Sequence, residues 1–168
     1  LDEYRINAEK ARQGQAWIGC AFASPATGRP VSLITAPIME GDKLVGITGT
    51  PIELNVLSGR LLRGTKIGQT GYVAIKDENG VTLAHPNADF ILSLNVTHFD
   101  WGRRIYEQKN GLLKYTFQDV EKIATFHTQE RTGWMVMAIA PVHEFLAPIA
   151  RIKFWAAVVG LGAVLCVG

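Results

Sequence analysis

Residues 67–87 read IGQTGYVAIKDENGVTLAHPN, two short apolar runs on either side of a polar four-residue turn. Residues 71–76 and 81–85 have the composition of strands, and DENG between them offers Asn79-Gly80, a pair that takes positive φ at low cost. The stretch predicts an antiparallel hairpin. The same alternation of apolar runs and turn signals extends outward in both directions. Upstream, residues 16–23 lead through SPATGRP to residues 31–38, and EGDK leads on to residues 44–50. Downstream, strands are expected at 111–117, 123–128 and 134–140, with QDVEK and QERTG as the turns. Short strands at this spacing form antiparallel sheets.

Helices are expected at three places. The first covers residues 3–13. The second opens at Thr50-Pro51-Ile52-Glu53, where Thr50 would cap, Pro51 would take the first helical position and Glu53 would complete a capping box. Ile52, Leu54, Val56, Leu57, Leu61 and Leu62 then form its apolar side, and it ends near Gly64. The third opens at Pro141 and presents Phe145, Leu146, Ile149, Ile152 and Phe154. The second and third share a plan with the strands before them: LVGITGTPIELNVLSGRLL and WMVMAIAPVHEFLAPIARI each pass from an apolar strand through a proline to an acidic residue and an amphipathic helix. Two related sheet-plus-helix modules in tandem account for this. The first would be incomplete and cover residues 1–63, and the second would cover 64–151.

Residues 154–168, FWAAVVGLGAVLCVG, contain no charge and are still apolar at the last residue. A membrane-spanning helix needs about 20 such residues, so residues 152–168 are expected to begin one. A buried core helix is the competing reading of a run of this length. Within it Ala156 and Gly160 form a small-xxx-small pair suited to helix packing. Arg151 and Lys153 at its edge favour a cytoplasmic flank, a weak vote because large domains translocate largely regardless of charge. The chain starts at Leu1 without a signal peptide, and an upstream membrane anchor is expected.

Composition narrows the function. A net charge of +2 over 168 residues, with no basic run interleaved with aromatics, argues against a nucleic-acid surface. The two cysteines, Cys20 and Cys166, cannot build a disulfide framework. His85, His98, His127 and His143 show no short metal-ligand spacing, the carboxylates show no paired arrangement, and neither a phosphate loop nor a haem attachment site occurs. No catalytic residue, metal or cofactor is therefore expected. His85 before Pro86 reads as a turn or packing residue.

The succession TGRPVSLITAPI, GDKLVGITGTPIEL, KIGQTGYVAIKDENGVTLAHPN and RTGWMVMAIAPVHEF resembles the double Cache sensor domain of bacterial transmembrane receptors, most often methyl-accepting chemotaxis proteins. The resemblance covers nearly the whole chain. It implies an α+β fold of two tandem PAS-like antiparallel sheets with flanking helices, the first incomplete, followed by the start of a transmembrane helix. It further implies a sensor in the periplasm, anchored in the bacterial inner membrane. Such a sensor works as a homodimer, binds a small-molecule ligand in its membrane-distal module and acts on a cytoplasmic signalling kinase through regions outside this chain. The same sensor fused to a histidine kinase or a diguanylate cyclase is the alternative, and a membrane-anchored hydrolase or adhesion module finds no supporting residues.

Amino-acid-binding members of that family use two aromatics and an aspartate. Tyr4 and Phe22 fall at the aromatic positions, but Pro51 occupies the place of the aspartate. A proline cannot pair with an ammonium group, so an ordinary α-amino acid is not the expected ligand. Asp2 and Glu3 likewise stand where a basic residue is common, so a carboxylate would need Arg5, Arg12 or an upstream residue. The expected ligand-binding set is Tyr4, Trp17 and Phe22 as aromatic walls with Thr35, Thr48 and Thr50 as hydroxyls. Core packing competes for each aromatic and a cap role for Thr50.

Overall fold

The computed structural model describes residues 2–145, with side chains from Arg5 onward. Helix α1 (Asp2–Arg12) is followed by strands β1 (Trp17–Ala23), β2 (Pro30–Glu40) and β3 (Lys43–Glu53), which form an antiparallel sheet in the order β1-β2-β3. Helix α2 (Leu54–Leu61) leads to strands β4 (Tyr72–Lys76) and β5 (Thr82–Ala84). Two 3-10 turns, Ala88–Phe90 and Val96–His98, then precede helix α3 (Asp100–Gln108) and strands β6 (Asn110–Phe117), β7 (Val120–Thr128) and β8 (Met135–Pro141). The second sheet is five-stranded and antiparallel, in the order β5-β4-β8-β7-β6. The expected α+β plan of two antiparallel sheets is present. The expected membrane helix, with Cys166 and most of the third helix, lies outside the described residues. Among the described residues no helix is long and apolar enough to cross a membrane.

The 67–87 stretch forms its hairpin for identifiable reasons. Asp77 Oδ1 accepts from the N–H groups of Asn79 and Val81, both at 2.9 Å, and Gly80 takes φ +88°. Glycine is also required at 71, where a Cβ would stand 2.2 Å from the Ile67 carbonyl oxygen and 2.7 Å from that of Ile139. This close approach lets β4 begin directly against β8.

The expected start of the second helix is corrected. Thr50, Pro51 and Glu53 are not its cap, first residue and capping box, because β3 continues through them and pairs with β2 as far as Val31 opposite Glu53. A proline is compatible with this strand because β3 is a sheet edge, the place in a sheet where a missing N–H is tolerated. Glu53 has no side-chain cap bond to α2, and its carboxylate instead accepts from Arg29 Nη1 at 3.0 Å. The other proline behaves alike: Pro141 ends β8 and helical residues begin at 142. Glu144 there accepts hydrogen bonds from the N–H groups of Gln69 and Thr70 and from the Thr70 hydroxyl. These bonds hold its carboxyl below the usual range, the Thr70 hydroxyl first.

Two cores form. The first joins α3 to the second sheet through Ile105, Tyr115, Phe126, Met135 and Met137, with Trp101 stacked 4.3 Å from Tyr115. The second lies between α2 and the opposite side of that sheet, where Leu54, fully buried, meets Ile75, Leu83, Ala84 and Ile91. Of the apolar side expected for α2, Leu54, Leu57 and Leu62 pack there, whereas Val56 and Leu61 are exposed.

Candidate functional site

The register of the first sheet decides which side chains share a surface. Directly opposed residues in antiparallel strands point to the same side. Trp17 stands opposite Thr35, and Thr35 opposite Gly49, while Phe22 stands opposite Val31 and Leu33 opposite Pro51. A bulge between Ile18 and Ala21 shifts β1 by one residue, which returns Phe22 to the side of Trp17. Helix α1 covers this side: the Thr35 hydroxyl donates to the Asn7 carbonyl oxygen at 3.4 Å, and Lys10 Nζ lies 5.0 Å from the Trp17 ring centroid. Trp17, Phe22 and Thr35 therefore share one face beneath the helix that carries Tyr4. Thr48 opposite Ala36 and Thr50 opposite Ile34 point to the other face, and the fold does not bring them to the first three.

Asn7 is a residue that sequence reasoning missed. It is fully buried at this face, donates from Nδ2 to the Leu33 carbonyl oxygen at 3.4 Å, and leaves Oδ1 without a partner among the described residues. Gly19 makes room for it, since a Cβ there would stand 2.6 Å from both amide atoms. The signal in the sequence was a lone glycine inside an apolar strand, which marks a close approach. Glu53, opposite Val31 on this side of the sheet, is engaged by Arg29. The face thus offers aromatic area, one hydroxyl and one amide acceptor, with Pro51 adding neither donor nor acceptor.

A second set of polar groups lies inside the second sheet. Lys76, only 2% exposed, donates to Thr82 Oγ1 at 2.5 Å, and desolvation lowers its pKa to about 7 against a small opposing pull from Asp77. Burial raises the Asp77 carboxyl, and the N–H groups of Val81, Asn79 and Ala21 draw it part of the way back. His85 accepts at Nδ1 from the Asn87 N–H at 2.9 Å, which puts its proton on Nε2. Its ring meets Tyr72 and Phe90 edge-on, each at 4.8 Å. Desolvation, followed by the Lys76 charge, lowers its pKa to about 4, so it is neutral near pH 7. These are packed, structural roles, as expected for His85. Among the described residues no group of three His, Cys, Asp or Glu side chains could hold a metal ion.

The two sheets meet at residues of both. Ser58 Oγ on α2 donates to the His85 carbonyl oxygen at 2.8 Å and accepts from the His85 N–H at 3.1 Å. Asn79 Nδ2 donates to Cys20 Sγ at 3.2 Å. A cavity of about 360 Å³ opens between α2 and the segment after β5, and another of about 570 Å³ lies between the 77–80 turn, α3 and β7.

A family model described as the Cache domain matches residues 2–149. Among curated proteins, the methyl-accepting chemotaxis protein TlpA of Bacillus subtilis is 24% identical over 149 residues, 89% of this chain and 22% of that protein. A probable methyl-accepting chemotaxis protein of Bacillus thuringiensis is 28% identical over 167 residues, 99% of this chain and 24% of its own length. The chain thus spans about a quarter of these relatives. Among solved structures, the extracellular domain of the putative histidine kinase mmHK1S-Z3 has a TM-score of 0.71 at 20% identity, covering 90% of this chain and 57% of that one. The ligand-binding domain of the Pseudomonas aeruginosa amino acid chemoreceptor PctB, in complex with L-Gln, has a TM-score of 0.67 at 19% identity, covering 94% and 64%.

Proposed function

The chain belongs to the Cache domain family, and from that premise we propose that it is the small-molecule sensing domain of a bacterial transmembrane chemoreceptor. The family match over residues 2–149, spanning both sheets, carries this reading. In it, residues 1–63 are the membrane-distal module, 64–151 the membrane-proximal module and 152–168 the start of the membrane helix. The sensor stands on the periplasmic side of the inner membrane as a homodimer. Ligand occupancy passes through the C-terminal helix to a cytoplasmic signalling region, where a kinase is the partner. Transmission requires the ligand to bind the two signalling states with different free energy. The domain itself carries no catalysis and no cofactor.

The ligand site in this proposal is the α1-covered face, with Trp17 and Phe22 as apolar walls, Tyr4 on α1, and Thr35 and Asn7 as the polar complement. Thr48 and Thr50, on the opposite face, take no part. Pro51 shares the α1 side through its pairing with Leu33, and Glu53 is committed to Arg29. Pro51 stands where amino-acid-binding members carry their aspartate, so the usual partner of an α-amino acid's ammonium group is missing and the ligand is of another class. Fusion to a histidine kinase remains the second reading, supported by the likeness to the mmHK1S-Z3 extracellular domain. The sequence of the intact protein beyond Gly168 separates the two.

A thermal-shift screen of the intact extracytoplasmic region against carboxylates, amines, purines and amino acids tests the site. A ligand at 100 times its dissociation constant stabilises the fold by about 2.7 kcal/mol, and Trp17→Ala or Phe22→Ala should abolish that gain. A gain that survives both substitutions overturns the assignment of the face. No gain with any compound overturns direct small-molecule sensing.

A further inference from the structure

Gly59 lies inside α2, and none of the described residues gives it a packing reason. Its φ is not positive, and a Cβ built there meets nothing within 4 Å. Glycine in a helix interior is disfavoured relative to alanine, so a glycine facing open space fits a surface that something else approaches closely. Two cavities adjoin it. One of about 360 Å³ lies between α2 and the His85-Pro86 segment, and one of about 540 Å³ lies along α2, with Asn55, Gly59 and Arg63 lining both. Arg60 and Arg63 form no ion pair with a described acid. Arg63 shares the first cavity with Leu62, Pro86 and Ile91, its apolar lining, whereas Arg60 lines only the second.

We propose that this cleft binds a small organic carboxylate, with its head on the Arg63 guanidinium and the Asn55 amide and its apolar body against Leu62, Pro86 and Ile91. The guanidinium fork matches a carboxylate with two parallel hydrogen bonds. An amine is repelled by Arg60 and Arg63, and inorganic phosphate leaves the apolar wall unused. His85, 7% exposed, lines the cleft and so reports on its occupancy. The site is distinct from the α1-covered face. It joins α2 to the hairpin across the Ser58–His85 bonds, so its occupancy depends on how the two sheets sit against each other.

The test is calorimetric titration of the intact extracytoplasmic region with acetate, butyrate, benzoate and phenylacetate, with butyramide and inorganic phosphate as controls. At least one of the larger carboxylates should bind saturably and shift the His85 ring resonances in NMR spectra, whereas butyramide should not bind. Arg63→Gln should weaken binding about 10- to 100-fold. Gly59→Leu should abolish it while leaving the unliganded melting temperature undiminished, because the new side chain enters open space. Trp17→Ala should leave this binding intact, which separates it from the α1-covered face. The proposal is overturned if no carboxylate binds, if phosphate binds as well as they do, or if binding is indifferent to Arg63→Gln and Gly59→Leu.

Discussion

Lys76 shows how far a residue's environment departs from its place in the chain. In VAIKDENG it reads as the polar exit of a strand, yet the pairing of β4 with both β5 and β8 closes over it and leaves Thr82 Oγ1 as its acceptor. Its pKa falls from 10.5 to about 7 on folding. The native state therefore releases this proton before the unfolded chain does, and the Lys76 contribution to stability rises with pH between about 7 and 10.5. Lys76→Met removes the buried amine and keeps the volume, while Thr82 still donates to the Leu94 carbonyl oxygen. Urea unfolding should show the variant more stable by about 1–4 kcal/mol at pH 7, with the advantage shrinking toward pH 10. A constant difference across that range would show that Lys76 is not desolvated. Gly71 is the converse case, a residue whose need is legible in the chain as part of IGQTG. Gly71→Ala should cost at least about 2 kcal/mol, because its Cβ would meet two backbone oxygens and cannot displace them.

At the scale of elements, strands were legible and their ends were not. Every expected strand is present because alternation is local, but β3 runs on through a proline that also suits a helix start, and only its edge position makes that possible. Helix α3 had no expectation at all. It is nine residues long, and Trp101, Ile105 and Tyr106 recur on one side at helical spacing, a periodic signal that the reading of this stretch as a connection between strands passed over. The expected QDVEK turn is shorter than its five residues, because Val120, Glu121 and Lys122 already pair in β7, and its two remaining residues, Gln118 and Asp119, both take positive φ, at 53° and 59°, the pattern of a type I′ hairpin. Replacing the pair with Asn-Gly should raise stability by about 0.5–1 kcal/mol, read from the denaturation midpoint of the double variant. A lower midpoint would mean that the Gln118 and Asp119 side chains hold the turn.

For the whole molecule, the junction between the sheets is held by a few specific hydrogen bonds. Ser58 satisfies both backbone groups of His85, so Ser58→Ala should leave two buried polar groups unpaired and cost about 1–3 kcal/mol. Hydrogen exchange should locate the loss at α2 and β5 and spare β6 and β7; uniform loosening would show that the junction does not act as a distinct unit. The sequence by itself determined the α+β class, the succession of antiparallel strands and the family, because these rest on local periodicity, turn chemistry and contiguous motifs. Only the tertiary structure decided which residues share a face. Trp17, Phe22 and Thr35 lie on the α1 side of the first sheet while Thr48 and Thr50 lie on the other, since a single bulge in β1 and the register of β2 against β3 set the side of every residue. The burial of Lys76, the place of Asn7 beneath its helix and the cleft beside Gly59 arise in the same way. Each depends on contacts between residues far apart in the chain, and those form only when the sheets are assembled.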